Sequence, residues 1–147
     1  MCLIKKILVA LDGSKASKNA LDFALEVVES TSEFHILTVV PPVIIPSYSA
    51  HILKSEAITA CTKQMELAYR EVLSKALRDI HEKNPVLKVY THFKKGTPDE
   101  KIVETAKIGK FDLIIMGSGG IKSRTRTLGS VSLKVIDGAP CPVLIVK

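Results

Sequence analysis

Residues 111–130, FDLIIMGSGGIKSRTRTLGS, decide how the chain is read. They open with Asp112-Leu113-Ile114-Ile115-Met116, an apolar run too short for a free-standing helix. Bounded by turn residues, a run of this length reads as a strand covered on both faces of a sheet. It breaks into Gly117-Ser118-Gly119-Gly120, and Lys122, Ser123, Arg124, Thr125, Arg126 and Thr127 follow before Gly129-Ser130, where helical periodicity resumes. Glycines let backbone N–H groups line a concavity, and a helix N-terminus adds partial positive charge. With three cations in the same loop, the stretch predicts an anion site, and the phosphate of a nucleotide is the expected anion.

Working outward, the rest of the chain supplies alternating strands and helices. Residues 5–11, KKILVAL, form a buried strand that ends in Asp12-Gly13-Ser14, with Ser14 as the N-cap of a helix. Ala16, Ala20, Phe23, Ala24, Val27 and Val28 recur at helical spacing and are its expected core face. Residues 34–40, FHILTVV, make a second strand, and 41–50, PPVIIPSYSA, an apolar loop suited to a lid or a contact surface. One long helix is expected over 52–83, its core face formed by Ile58, Cys61, Met65, Ala68, Val72, Ala76 and Ile80. Residues 86–93, VLKVYTHF, alternate more and carry more charge, as a strand nearer the sheet edge does.

Thr97-Pro98-Asp99-Glu100 then predicts a helix start, with Thr97 as N-cap, Pro98 in the first turn and Glu100 completing a capping box. Its buried face is expected at Ile102, Val103, Ala106 and Ile108, with Gly109 making the C-terminal turn. After the central strand and glycine loop comes a helix over 130–137, ended by Gly138, and a last strand at 142–146, PVLIV. The pattern β-α-β-α-β-α-β-α-β forces parallel crossovers and predicts a single doubly wound α/β domain over residues 1–147. Ligands of such sheets sit beyond the strand carboxyl ends, where the strand order reverses. If the first and fourth strands flank that point, Asp12 and the Gly117 loop meet in one crevice.

Composition narrows the function. At 147 residues with 46% hydrophobic residues the chain fits one core, and no apolar stretch reaches the ~20 residues of a membrane span. Cys2, Cys61 and Cys141 are scattered, which disfavours a disulfide framework or a zinc site and fits a reducing cytoplasm. The net charge of +6 would suit nucleic acid, but 5% aromatic residues and no Trp leave little for bases to stack on. There is no G-x-x-x-x-G-K-[ST], so the loop is not that of a P-loop NTPase. His35, His51, His81 and His92 show no spacing to a carboxylate that would mark a catalytic base.

Three fragments in order, KKILVALDGSKASKNAL, KGTPDEKIVETA and DLIIMGSGG…LGSVSLKVIDGAPCPVLIVK, resemble the universal stress proteins along essentially the whole chain. The resemblance implies a three-layer α/β/α fold with a five-stranded parallel sheet, Rossmann-like and akin to the adenine nucleotide alpha hydrolases. It also implies homodimers and, in one subgroup, bound ATP; the short apolar last strand is the expected dimer contact of this cytoplasmic protein, and Mg2+ the expected companion of the phosphates.

Matched by position, Asp12 falls beside the nucleoside, Ala10 and Val39 line the adenine pocket, and Met116 lies on the base side. Gly117, Gly119, Gly120, Gly129, Ser130 and Val131 match the phosphate-contacting segment; the cations Lys122, Arg124 and Arg126, which the motif does not demand, are expected to steer or clamp phosphates. Eight residues separate Gly120 from Gly129, one fewer than the family pattern, whereas nine separate Gly119 from Gly129. The function so implied is a stress-response switch holding ATP as a regulatory ligand, with slow hydrolysis or autophosphorylation at most. The alternative is a homodimeric interaction module of the same fold that binds no nucleotide.

Overall fold

The computed structural model describes residues 4–52, 54–119 and 128–147. In chain order its elements are β1 (Lys6–Ala10), α1 (Lys15–Val27), β2 (Glu33–Val40), α2 (Ser55–Lys83), β3 (Val89–Lys95), α3 (Pro98–Gly109), β4 (Leu113–Gly117), α4 (Ser130–Gly138) and β5 (Val143–Val146). The strands form one five-stranded sheet in the order β3-β2-β1-β4-β5, with every neighbouring pair parallel. This is the expected sheet, and β3 is the edge strand its charge pattern predicted. The order reverses between β1 and β4, the strands that the expected crevice required.

Continuous apolar runs follow from burial on both faces. One face carries Ile7, Val9, Phe34, Ile36 and Ile115, covered by Leu21 and Ala24 of α1 and by Ala76 and Ile80 of α2. The other carries Leu8, Leu37, Val39, Ile114 and Met116, covered by Ile102 and Ala106 of α3 and Val135 of α4. Among the described residues no helix is long and apolar enough to cross a membrane.

Several expected core positions fall outside this core. In α1 the buried face is the small one, Ser17, Ala20, Leu21 and Ala24, while Phe23 and Val27 are exposed. Small residues there let the helix lie close to the sheet: a Cβ added at Gly117 of β4 would stand 2.6 Å from the Ala16 carbonyl carbon. In α2, which begins at Ser55 and not at 52, Ala76 and Ile80 are buried, Ile58 and Met65 half-buried, and Cys61 and Ala68 exposed.

Length is the reason. At 29 residues α2 spans about 43 Å, whereas the eight residues of β2 reach only about 27 Å. The helix runs against the strand direction, so its first half overhangs the carboxyl ends of the strands.

The ends of α3 also differ from expectation. Thr97 is the N-cap and Pro98 follows it, but the Thr97 side chain makes no capping hydrogen bond, so the expected capping box is not formed. Thr105, whose hydroxyl donates to the Lys101 carbonyl at 2.6 Å, takes the buried place expected of Ile108, which is exposed. Gly109 is the last helical residue, pressed against the Phe111 ring, and Lys110 supplies the left-handed turn with φ of 51°.

Candidate functional site

A crevice of about 620 Å³ opens at the carboxyl ends of β1 and β4. Nine of the sequence-predicted residues line it: Ala10, Asp12, Val39, Met116, Gly117, Gly119, Gly129, Ser130 and Val131. Gly120 and Lys122 lie outside the described residues. The walls are mainly apolar, with Ala10, Leu37 and Val39 from the strands and Ile102 from α3, as suits the flat face of an aromatic base.

Asp12 sits in the turn between β1 and α1. Its Oδ1 accepts from the Ser14 N–H at 2.9 Å, and its own N–H donates to Ser17 Oγ at 3.4 Å. Ser14 caps α1 as expected, its hydroxyl accepting from the Ser17 N–H at 3.1 Å. One carboxylate oxygen thus braces the turn, while Oδ2 has no hydrogen-bond partner among the described residues, and Asp12 lines the crevice. Between the two lies Gly13, with φ of 84°. A Cβ at Gly13 would stand 2.8 Å from Val72 Cγ2, so α2 rests directly on this turn.

The glycine loop is pinned at its base. Ser118 N–H donates to the Val146 carbonyl at 2.9 Å, and Gly129 N–H donates to the Ser118 carbonyl at 2.8 Å. Buried Ser132 of α4 donates its hydroxyl to the Gly117 carbonyl at 3.0 Å. These bonds set the N-terminus of α4 beside the end of β4. Gly129 caps that helix without a side-chain hydrogen bond, so among the described residues no side-chain cap competes with an incoming anion for its first N–H groups.

Tyr69, missed in the sequence, also lines the crevice. Burial and then the Asp12 carboxylate push its hydroxyl above the ordinary tyrosine range, so it stays a protonated donor at neutral pH. Its place follows from the packing of α2 on the β1–α1 turn, one helical turn from Val72, which the sequence did not signal. Pro41 and Pro98, likewise missed, line it because each follows a strand's carboxyl end. Asp12 and Tyr69 are the only ionisable side chains among the described lining residues. Among the described residues no three His, Cys, Asp or Glu side chains gather where they could hold a metal ion.

A smaller cavity of about 260 Å³ lies under the end of α3, lined by Lys6, His35, His92, Lys94, Glu104 and Phe111 among others. Two of the histidines that linear spacing left apart meet here. His35 Nδ1 is 2.8 Å from His92 Nε2, and His35 Nε2 is 3.3 Å from Glu33 Oε2. The pairing of β2 with β3 sets His35 opposite Tyr90, two residues from His92 on the same face, a proximity that linear spacing hides.

The family model for the universal stress protein family matches residues 3–147. A universal stress protein of Methanocaldococcus jannaschii is 35% identical over 150 residues, covering 99% of this chain and 83% of that one. Universal stress protein UspA from Lactobacillus plantarum has a similar fold, with a TM-score of 0.83 at 21% identity and full coverage of both chains. A universal stress protein solved in complex with cAMP is 26% identical with a TM-score of 0.61, covering 99% of each chain.

Proposed function

The chain belongs to the universal stress protein family, and we propose that its crevice binds an adenine nucleotide, ATP, as the regulatory ligand of a cytoplasmic stress-response switch. The observation that carries this reading is one cavity in which an apolar slot, the Asp12 carboxylate and a helix N-terminus with no side-chain cap among the described residues adjoin. Ala10, Val39 and Met116 would hold the base, and Asp12 would accept hydrogen bonds from the nucleoside. Gly117, Gly119, Gly129, Ser130 and Val131 would cradle the phosphates, together with Gly120 and Lys122 of the sequence between them. The related protein with bound cAMP supports an adenine nucleotide as the ligand class.

Binding is favoured over turnover by the lining itself. Asp12 is its single carboxylate among the described residues, and one of its oxygens is engaged by the turn. Any Mg2+ would arrive on the phosphates and keep most of its waters.

The test is mass spectrometry of nucleotide released from the denatured protein, with calorimetric titration of ATP, AMP and cAMP. Bound nucleotide or micromolar affinity, lost in Asp12→Ala and Gly129→Val, would support the reading. A folded protein that binds none of the three would refute it.

A homodimer through β5 is the companion reading, and a specific surface favours it. β5 is a sheet edge with all four residues half-buried, and Leu133 and Ile136 of α4 are exposed at 53% and 46%. An unpaired apolar edge of this kind fits a second copy across a twofold axis. Sedimentation should show a dimer that the double variant Leu133→Lys, Ile136→Lys splits. A monomer in the wild-type chain would remove the idea.

A further inference from the structure

We propose that Tyr69 is a specificity-determining residue of the crevice, forming with Asp12 a donor–acceptor pair that reads the hydroxyls of a ribose. The inference rests on the nucleotide reading above and adds a residue and a ligand feature to it. Two observations place the pair. Both side chains line the same crevice, one from the β1–α1 turn and one from α2. The contact of Val72 with the Gly13 position locks that turn against α2, and Tyr69 lies one helical turn earlier, three residues towards the overhanging end.

The chemistry is complementary. Among the described residues the Tyr69 hydroxyl has no hydrogen-bond partner, and Asp12 Oδ2 has none either. A carboxylate accepts only, and a neutral phenol is the donor beside it. Adjacent ribose hydroxyls each donate and accept, so one can give its hydrogen to Asp12 while its neighbour accepts from Tyr69. A phosphate would be repelled by Asp12, and the edge of adenine, which also sets a donor beside an acceptor, is the same in AMP and in its deoxy analogues, so those analogues test the ribose alone. Burial and the Asp12 charge hold Tyr69 in its donating form. A site whose polar groups go unpaired when a substrate hydroxyl is missing discriminates against that analogue.

The experiment is equilibrium titration of AMP, 2′-deoxyAMP and 3′-deoxyAMP against the wild-type chain and Tyr69→Phe, which keeps the ring and removes only the hydroxyl. Wild type should bind AMP roughly tenfold more tightly than at least one deoxy analogue. Tyr69→Phe should weaken AMP by roughly three- to tenfold, leave that analogue nearly unchanged and so collapse the ratio. AMP binding with an identical ratio in Tyr69→Phe, or equal affinity for all three ligands in wild type, would overturn the pair and leave the nucleotide reading standing. A wild-type chain that binds no AMP would overturn both.

Discussion

The Nδ1 of His35 lies 2.8 Å from the Nε2 of His92, so neighbouring strands of the sheet are joined by one shared proton. The rings are nearly coplanar at 18° with centroids 5.2 Å apart, which places them edge to edge. Glu33 on β2 meets the far side of His35, Tyr90 of β3 stacks on it, and Phe111 meets it edge-on. Lys6 of β1, Lys94 of β3 and Glu104 of α3 complete the surroundings. Two imidazoliums cannot share this contact, because both facing nitrogens would then carry hydrogen.

Folding stability should therefore fall on mild acidification. Burial is the main cause that lowers the pKa of both histidines, with cationic neighbours adding to it and Glu33 opposing it at His35. Their folded values lie below the unfolded value near 6.5, so the stabilisation is complete above that pH. It is lost as pH drops below about 6.5 and through the folded values, because the unfolded chain then binds more protons. The slope cannot exceed about 1.4 kcal/mol per pH unit for each extra proton bound. Asp22, lowered mainly by its hydrogen bond to Lys83, acts only in a more acidic window, below its ordinary 3.8. Urea unfolding from pH 8 to pH 5 should show the decline, and His92→Gln should flatten it. A slope that His92→Gln leaves intact would assign the effect to other groups.

Gly117→Ala should loosen the contact between β4 and α1. The added methyl would meet the backbone carbonyl carbon of Ala16 at 2.6 Å, and its oxygen and Cβ at 2.8 Å, none of which can swing aside as a side-chain tip does. Overpacking of this kind costs about 1–3 kcal/mol. Chemical denaturation should detect it, and nucleotide affinity should fall with it, since the same glycine anchors Ser132. Full stability in Gly117→Ala would mean that the helix can retreat freely.

The two halves of α2 should respond differently to truncation. Ile80 is 1% exposed and lies within the core, so Ile80→Ala should cost about 2–5 kcal/mol. Leu67, 59% exposed on the overhanging half, should change stability by no more than about 0.5 kcal/mol when replaced by Ala. Equal losses at the two positions, read from unfolding midpoints, would contradict the overhang.

This contrast shows what was legible in the sequence. The element order, the parallel sheet and the meeting of Asp12 with the glycine loop followed from apolar runs and turn residues, because those are set locally. Helical spacing also identified the core face of α2, but not how far the sheet would extend beneath it, so Cys61 and Ala68 read as buried and are exposed. Phe23 and Ile108 went wrong because periodicity ranks residues by hydrophobicity, whereas close packing kept the expected Ala20 and Ala24 and added the small polar residues Ser17 and Thr105. Tyr69 and the His35–His92 pair depend on contacts between elements distant in sequence. No spacing within one segment encodes them.

The turn that carries Asp12 gives the sharpest test of how α2 is seated. Gly13→Ala places a side chain at φ of 84°, a left-handed conformation costing about 1–2 kcal/mol. It also drives the new methyl to 2.8 Å from Val72 Cγ2. The first cost belongs to the backbone and survives any change on α2, whereas the second disappears if Val72 is shortened. Val72→Ala should therefore cost less in the Gly13→Ala background than in the wild-type chain, with a coupling of about 0.5–3 kcal/mol in a double-mutant cycle. Gly13→Ala should also weaken nucleotide binding, because relieving the clash by moving α2 carries Tyr69 away from Asp12. Strict additivity of the two substitutions would show that α2 does not rest on the turn, and would leave Gly13 with a purely conformational role.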